Sequence, residues 1–440
     1  MIELPEYATA FADDQPAPDA PRREQISREL GARLGVEWLA GGRVAIKASS
    51  WVGTIDLTSD LSVRVIPKLA GNNLGVLTML AVAEGLTPDH LPRFLRDLSA
   101  DPDEDALQIL CRLVVHATEV LFARGLVRDY RGHADDLPYL RGRLDVYRQA
   151  TTHFAQLDRL ACTFDEFDHR NIENHLLLAG VNAARRAATE MSVRRRAAAL
   201  AERLSALAPT LPDTARLLSH RIVYGRRTEQ YRSVHTWCRA LLRLAQVDAV
   251  SSANTQSATA FLINMNTLFE RFVERLVSHA FEADGLLIET QRHNPSLITV
   301  DGVNSGRSVA PDLVVTDRFS AVAIDAKYKR YCGGNDVSPA DTYQLLLYAQ
   351  CYVGFTAIPT SYLIHPVESG DPVSTLMELT VPGESGSRRV RVRTIGIPIP
   401  AILDGLRIGD PSGFQETIEF LRRTIKLESA TRNRAALSTV

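Results

Sequence analysis

A chain of 440 residues, 45% hydrophobic and 23% charged, is long enough for two or three domains and has the balance of an ordinary globular protein. A formal net charge of −2 argues against a protein that grips nucleic acid through an overall positive field, and no apolar run approaches the length of a membrane span. Cys111, Cys162, Cys238, Cys332 and Cys351 form no C-x-x-C pair, which sets aside zinc and iron–sulfur sites of the usual spacing and fits reduced thiols. The acidic N-terminus lacks the basic start and apolar stretch of a secretion signal, so the expected compartment is the cytoplasm.

Residues 1–70 read as mostly strand. GVEWLA, GRVAIKA, WVGTIDLT and LSVRVIPK are short, β-branched and partly alternating, the spacing of a small curled sheet or barrel. Residues 11–25, rich in Pro, Asp and Ala, read as a loop. NNLGVLTMLAVAEG and EDALQILCRLVVHATEVLFARGL place apolar residues at helical spacing. LPYLRGRLDVYRQATTHF, residues 137–154, reads as a strand or hairpin that brings Arg141 and Arg143 close together. From Asn171 to about Ala249 helices dominate, and the small polar run SSANTQSA (251–258) marks a domain boundary.

Beyond that run the pattern becomes α, β, β, β, α, β. FLINMNTLFERFVERLVSHAFEA reads as an amphipathic helix, and LLIETQRH, PDLVVTD and SAVAIDAKYK as strands. SPADTYQLLLYAQCYV reads as a helix capped near Ser338 with Pro339 in its first turn, and PTSYLIHPV as a strand. The expected class is α+β and multidomain. A β-rich and helical N-terminal domain spans 1–155, a helical connecting region 156–250, and an α/β domain 251–440.

Two acids lie in the strands of that last domain. An ionised carboxylate in a strand core is costly unless something positive sits on it. Asp312 opens one strand and Asp325 nearly closes the next, so a hairpin turning at 316–320 brings them to one end of the sheet. Asp325 and Lys327 are two apart and share a face. A magnesium ion, which takes oxygen ligands at about 2.1 Å, would satisfy two carboxylates, with the Ala326 carbonyl as a further ligand. Manganese fits the same oxygens. Such an ion acidifies a bound water and polarises a phosphoryl oxygen, and Lys327 would orient the water and offset charge on the phosphate. The plain alternative is a salt bridge between Lys327 and either acid at a sheet edge. Gln344 and Tyr348, at i and i+4, share a helix face and could both reach a phosphate or metal water. Glu270 is either a further acid of this site or a surface partner of Arg271. His293 reads as a loop histidine. Lys329 and Arg330 either touch a DNA backbone or form the solvated end of a strand.

P-D, thirteen residues from Asp312 to Asp325, D-x-K, then Q-x-x-x-Y is the arrangement of the PD-(D/E)xK nuclease superfamily. FLINMNTLFERFVERLV, APDLVV, AIDAKYK and DTYQLLLYA together resemble the McrC family, the nuclease subunits of McrBC-type modification-dependent restriction systems. IDLTSDLSVRVIPKL (55–69), LRGRLDVYRQ (140–149) and DEFDHRNIENHLLLAGV (165–181) extend the resemblance over most of the chain.

The resemblance implies a partner, an McrB-like AAA+ GTPase hexamer that recognises methylated DNA and translocates on it. The McrC-like subunit docks on that ring through its N-terminal half, stimulates GTP hydrolysis and cuts DNA by metal-dependent phosphodiester hydrolysis. Two assemblies that meet give a double-strand break. Asp312, Asp325 and Lys327 fall on the family's catalytic positions, and Glu270, Gln344 and Tyr348 fit the wider motif. Asp312, Asp325, Glu270 and the Ala326 carbonyl would hold the magnesium. Arg141 and Arg143 are candidates for partner contact. With no G-x-x-x-x-G-K-[ST], the chain is expected to bind no nucleotide itself. RRAATEMSVRRR (185–196) reads as a DNA-facing or ring-facing basic helix, or as a solvated charged face. Two alternatives stay open: a stand-alone RecB-like repair nuclease, and a non-catalytic activator of an AAA+ ring.

Overall fold

Alternating apolar residues build the N-terminal strands. They are β1 (Ile2–Pro5), β2 (Thr9–Ala12), β3 (Leu34–Trp38), β4 (Val44–Ala48), β5 (Trp51–Asp56) and β6 (Ser62–Ile66). β4 lies between β2 and β3, antiparallel to both, while β6 runs parallel to β1 and antiparallel to β5. Val44, Ile46, Ile55, Val63 and Val65 turn inward, and the Ala20–Leu30 helix closes this core with Ile26 and Leu30. The loop expected over 11–25 is found at 13–19, between the end of β2 and the start of the helix. Asp19 caps the helix by accepting the Arg22 N–H, with Pro21 in the first turn, so an acid two residues before a proline here marks a helix N-terminus rather than a turn.

The stretch Leu107–Ala253 forms a compact unit of its own. It holds the long helices Ala106–Arg124, Ile172–Ala187, Met191–Leu207 and Arg232–Ser251. It also holds a small antiparallel sheet of β7 (Asp129–Leu137), β8 (Arg143–Leu144) and β9 (Leu160–Asp168). Gly180 lets two helices close up: a Cβ there would stand 2.4 Å from Cys238 Sγ. The Tyr231 hydroxyl donates to Asn174 Oδ1 at 2.9 Å and accepts the Val127 N–H at 2.7 Å, tying two helices to the base of β7. Ala106–Arg124 alone among the described residues has the length and mean hydropathy to cross a membrane, although Arg112, His116 and Glu119 interrupt its apolar run. More than half of it is buried in the protein, with Ile109, Leu110, Leu113 and Val114 enclosed, as in a core helix.

The computed structural model describes residues 1–58, 60–89, 91, 104–156, 158–209, 212–251, 260–291, 299–300, 303–304, 309–317, 320–331, 337–352, 358–381 and 388–427. His293 and residues 252–258 of the boundary run lie outside them. The second compact unit joins Met1–Ala106 to Asn254–Val440. This division differs from three consecutive stretches. The first and last thirds of the chain share one unit, and the pairing of β10 (Ala260–Asn264) with β5 is a physical reason. The two strands run antiparallel with Asn264 opposite Trp51, and Leu262 enters the N-terminal core. FLIN is therefore a strand, and the expected helix starts only at Met265, capped by Asn264.

The strands that follow are β11 (Leu287–Thr290), β12 (Thr299–Val300), β13 (Val303–Asn304), β14 (Leu313–Thr316), β15 (Ala321–Ala326), β16 (Thr360–Val367), β17 (Val373–Val381) and β18 (Arg388–Pro398). β12 and β13 pair with each other, and the rest form one mixed sheet in the order β11-β14-β15-β16-β18-β17. β14 and β15 are an antiparallel pair, whereas β15, β16 and β18 are parallel. Between β15 and β16 lies the Pro339–Cys351 helix, which Ser338 caps through the Asp341 N–H. The Met265–Phe281 helix packs on the Asn73–Ala83 and Ser412–Thr424 helices. Every residue of Asn73–Ala83 is buried, which is why that helix has no polar face. β17, β18 and the helices Ile399–Ile408 and Ser412–Thr424 lie beyond the six elements read from the sequence. The class is the expected α+β, with a C-terminal mixed sheet resembling a PD-(D/E)xK nuclease fold.

Candidate active site

Strand register sets the site. Leu313 faces Ile324 across β14 and β15, so one step outward Asp312 meets Asp325. Asp312 Oδ2 accepts the Ala326 N–H at 2.8 Å, and its backbone carbonyl accepts the Gln291 N–H at 2.9 Å. The Lys327 N–H donates to the Ile364 carbonyl at 3.0 Å, which extends the pairing with β16 and fixes the backbone that carries the amine. Lys327 Nζ lies 2.9 Å from Asp325 Oδ2. That contact is a buried, charge-assisted pair, and Lys327 is the only cation placed directly on Asp325 among the described residues.

Burial governs the electrostatics. Asp325 is 2% exposed. Burial, then the charge of Asp312, pushes its carboxyl up to about 6 in spite of Lys327. Asp312 is raised by burial and by Glu270, against the Ala326 N–H and Lys327. Glu270, on the Met265–Phe281 helix, is raised by burial while Lys327 opposes and Asp325 adds. It therefore feels the same cluster from farther out. Burial presses Lys327 down, but Asp325, Asp312 and Asp341 together outweigh it, so its pKa rises and it stays an ammonium. Three carboxylates crowd one ammonium, and each resists ionisation. Such a cluster lacks positive charge, and its crowded carboxylate oxygens suit an oxygen-seeking divalent cation.

Gln344 and Tyr348 touch one another beside the acids, and Tyr348 feels the charges of Asp325, Asp312 and Lys327. Gln344 Nε2 donates to the Tyr348 hydroxyl at 2.6 Å, and that hydroxyl donates to the Ala310 carbonyl at 3.0 Å. They hold the chain two residues ahead of Asp312. Lys329 pairs with Asp341 at 3.3 Å and Arg330 with Glu368, so both cations already have acid partners. Asp341 also accepts the Ser338 and Tyr331 hydroxyls.

Two further residues escaped the sequence reading. Tyr328 alternates to the opposite side of the strand from Lys327 and packs on Phe269, with ring centroids 5.6 Å apart. Glu6, after β1, accepts the Lys68 N–H at 2.8 Å and the Tyr328 hydroxyl at 3.4 Å. Burial pushes its carboxyl up to about 7. No local pattern marks Glu6; an acid closing the first strand is the whole of its signal.

In the other unit, Arg141 pairs with Glu166 at 2.8 Å and stacks over Phe164, while Arg143 is exposed. His133, Glu166 and Asp168 bring ligand atoms within 4.8 Å of one another and so have the donor types for a divalent cation. Their acids are already matched, Glu166 by Arg141 and Arg170 and Asp168 by Arg170 at 2.6 Å. An ion-pair network accounts for the group without a metal.

The family model described as the McrBC 5-methylcytosine restriction system component matches residues 46–366. The chain belongs to this family. No curated protein matches it. Its fold is similar to that of a chain in the refined half-complex from the tetradecameric assembly of Thermococcus gammatolerans McrB AAA+ hexamers with bound McrC. There the identity is 20%, covering 96% of this chain and 100% of that one, with a TM-score of 0.55. A chain of the Thermococcus gammatolerans McrBC complex, seen by cryo-EM, is 22% identical over 64% of this chain and 88% of its own, with a TM-score of 0.42. The McrBC match spans β5 to β16 and so takes in Asp312, Asp325, Lys327 and the whole inserted unit.

Proposed function

We propose that this chain is the nuclease subunit of an McrBC-type system. It docks on an AAA+ GTPase ring of the McrB kind, stimulates GTP hydrolysis and cuts modified DNA by hydrolysing a phosphodiester. Family membership supports the system. The observation that carries the nuclease reading is the convergence of three buried or half-buried carboxylates, Asp312, Asp325 and Glu270, on one ammonium, Lys327, with Asp325 across from Asp312 and each acid raised by burial and by a neighbouring acid. Like charges crowded together away from water disfavour one another's ionisation, and a bound divalent cation would relieve that.

Asp312, Asp325, Glu270 and the Ala326 carbonyl would hold magnesium or manganese. When bound, that ion supplies positive charge against the phosphate and acidifies water. Lys327 keeps its proton and donates to the phosphate oxygens as their charge builds. Asp312, through the Ala326 N–H, locks the ends of β14 and β15 together, and Tyr348 steadies the approach to Asp312. For the partner, exposed Tyr139, Leu140, Val146 and Tyr147 beside Arg141 and Arg143 in the inserted unit support a docking face, since interfaces favour aromatic, aliphatic and arginine side chains. Meeting of two assemblies would place two such centres on one duplex.

The test is reconstitution with an McrB-like AAA+ GTPase. Alone with magnesium, the chain is expected to do little to plain DNA. With the partner and GTP it cuts methylated DNA, and Lys327→Ala lowers cutting at least 100-fold while GTPase stimulation survives. Vigorous cutting without the partner favours a RecB-like repair nuclease. Stimulation with no cutting by the unaltered pair leaves a non-catalytic activator.

A further inference from the structure

The charge of this chain is unevenly divided. Residues 107–253 hold 22 arginines, no lysine and 15 acids, an excess of seven positive charges. The rest of the chain has nine more acids than bases, so the near-neutral total conceals a basic unit.

Within that unit four arginines meet at one corner. The Ile172–Ala187 helix ends on Arg185 and Arg186, and the Met191–Leu207 helix, packed against it, carries Arg194 and Arg195 at its start. All four are exposed, and none forms an ion pair among the described residues. Arg196, next along, is different: it pairs with Glu119 through Nε at 2.9 Å. The one acid at the corner, Glu190, accepts the Ser192 hydroxyl, which leaves three charges uncompensated.

Arg194 and Arg195 also sit at the wrong end of their helix. An N-terminus is the positive end of the macrodipole and favours Asp or Glu. This one has Glu190 at the N-cap position, but its side chain makes no capping hydrogen bond and no acid follows in the first turn. Arg185 and Arg186 end their helix where the dipole favours cations; Glu190, four residues before Arg194, forms no ion pair with it among the described residues, and no acid lies four residues from Arg195.

We propose that this corner is a nucleic-acid backbone surface, on which Arg185, Arg186, Arg194 and Arg195 engage phosphates of duplex DNA without reading bases. The guanidinium fork matches a phosphate bidentately. An acidic protein face would also meet four charges, but a stable protein contact needs buried aromatic or aliphatic anchors, and the corner offers only Met191. A phosphate backbone needs none. The inference rests on the nuclease reading only for its choice of DNA as the polyanion.

The experiment is fluorescence anisotropy of the full chain with a labelled, unmethylated duplex of about 30 base pairs. It is run in EDTA, so that nothing is cut, from 50 to 200 mM KCl. The chain with Arg185→Ala, Arg186→Ala, Arg194→Ala and Arg195→Ala together is expected to bind at least 10-fold more weakly at 50 mM KCl. Its plot of log affinity against log salt flattens by about 3 to 4, since each lost phosphate contact removes about 0.9. A second duplex of unrelated sequence gives the same change, and the circular dichroism melt stays as in the unaltered chain. Unchanged affinity and slope in a folded variant overturn the proposal, as does an unaltered chain that fails to bind. A labelled poly-glutamate that binds as tightly as duplex, and loses as much in the variant, assigns the corner to acidic protein and also overturns it. Cutting by the reconstituted pair is scored separately, so the nuclease reading and this surface fail by different observations.

Discussion

Lys327 runs against the habit of its own sequence, which uses 45 arginines and only five lysines. Where any cation would do, this chain writes arginine. A compact ammonium fits at 2.9 Å from Asp325 and leaves the carboxylates open on their other side, whereas a planar guanidinium would bridge and cover them. Lys327→Arg is therefore expected to lose partner-dependent cleavage about as fully as Lys327→Ala, roughly 100-fold or more, with GTPase stimulation retained. Asp325 has a signature of its own. Its carboxyl is raised from 3.8 to about 6, so between those values the folded chain holds a proton that the unfolded chain has lost. The stability this group lends is present in full below about 3.8 and is lost as pH rises through about 6. Asp325→Asn removes that loss, and the metal-free variant should melt roughly 2–4 °C above the unaltered protein at pH 7. Magnesium should raise the melting temperature of the unaltered protein but not of the variant. Equal melting temperatures in EDTA would refute this account. Asp312, Asp325 and Lys327 were legible because the motif is local and its spacing is chemical. Glu6 was not, because the Tyr328 hydroxyl it receives lies 322 residues away and nothing near either residue announces the pairing.

Among the elements, the inserted unit depends on a contact with no room to spare. Gly180 faces Cys238 so closely that a Cβ would overlap both Sγ and Cβ, at 2.4 and 2.7 Å. Gly180→Ala is expected to destabilise this unit by about 1–3 kcal/mol, seen as a lower urea midpoint for the arginine-rich helices. An unchanged midpoint would mean that the helices slide apart freely. Elements with their signals inside themselves were readable: the Pro339–Cys351 helix from Ser338 and Pro339, and β15 from its apolar run. FLIN was misread because its strand partner is β5, far away in sequence, and a short apolar run fits a helix as well as a strand. β18 was readable and unread. RRVRVRT alternates, and its half-buried Arg391 faces Glu378 on β17 at 2.8 Å, an ordinary cross-strand pair.

At the scale of the molecule, a self-contained nuclease domain at 251–440 is the natural reading of the sequence, and the packing argues against its independence. Leu262 belongs to the N-terminal core, the Met265–Phe281 helix rests on Asn73–Ala83, and Tyr328 leans on Glu6. Residues 251–440 expressed alone are expected to show no cooperative thermal transition by circular dichroism, whereas the full chain does. A sharp melt of the fragment would show that the first 106 residues are dispensable to the sheet. The composition is blind in the same way: a total of −2 speaks against an overall positive field, but a sum over the chain cannot register that its arginines are concentrated in one unit.

The β5–β10 pairing also sets a timetable. On the ribosome, chains grow at roughly 5–20 residues per second, and the edge that β5 offers waits for a strand made about 200 residues later, so it stays open for on the order of 10–40 s. The arginine-rich unit is one continuous stretch and has all its partners at hand within that interval. The part of the protein translated first is therefore among the last to be finished, and an open sheet edge in a half-made chain is where a neighbouring nascent copy, or a chaperone, would take hold.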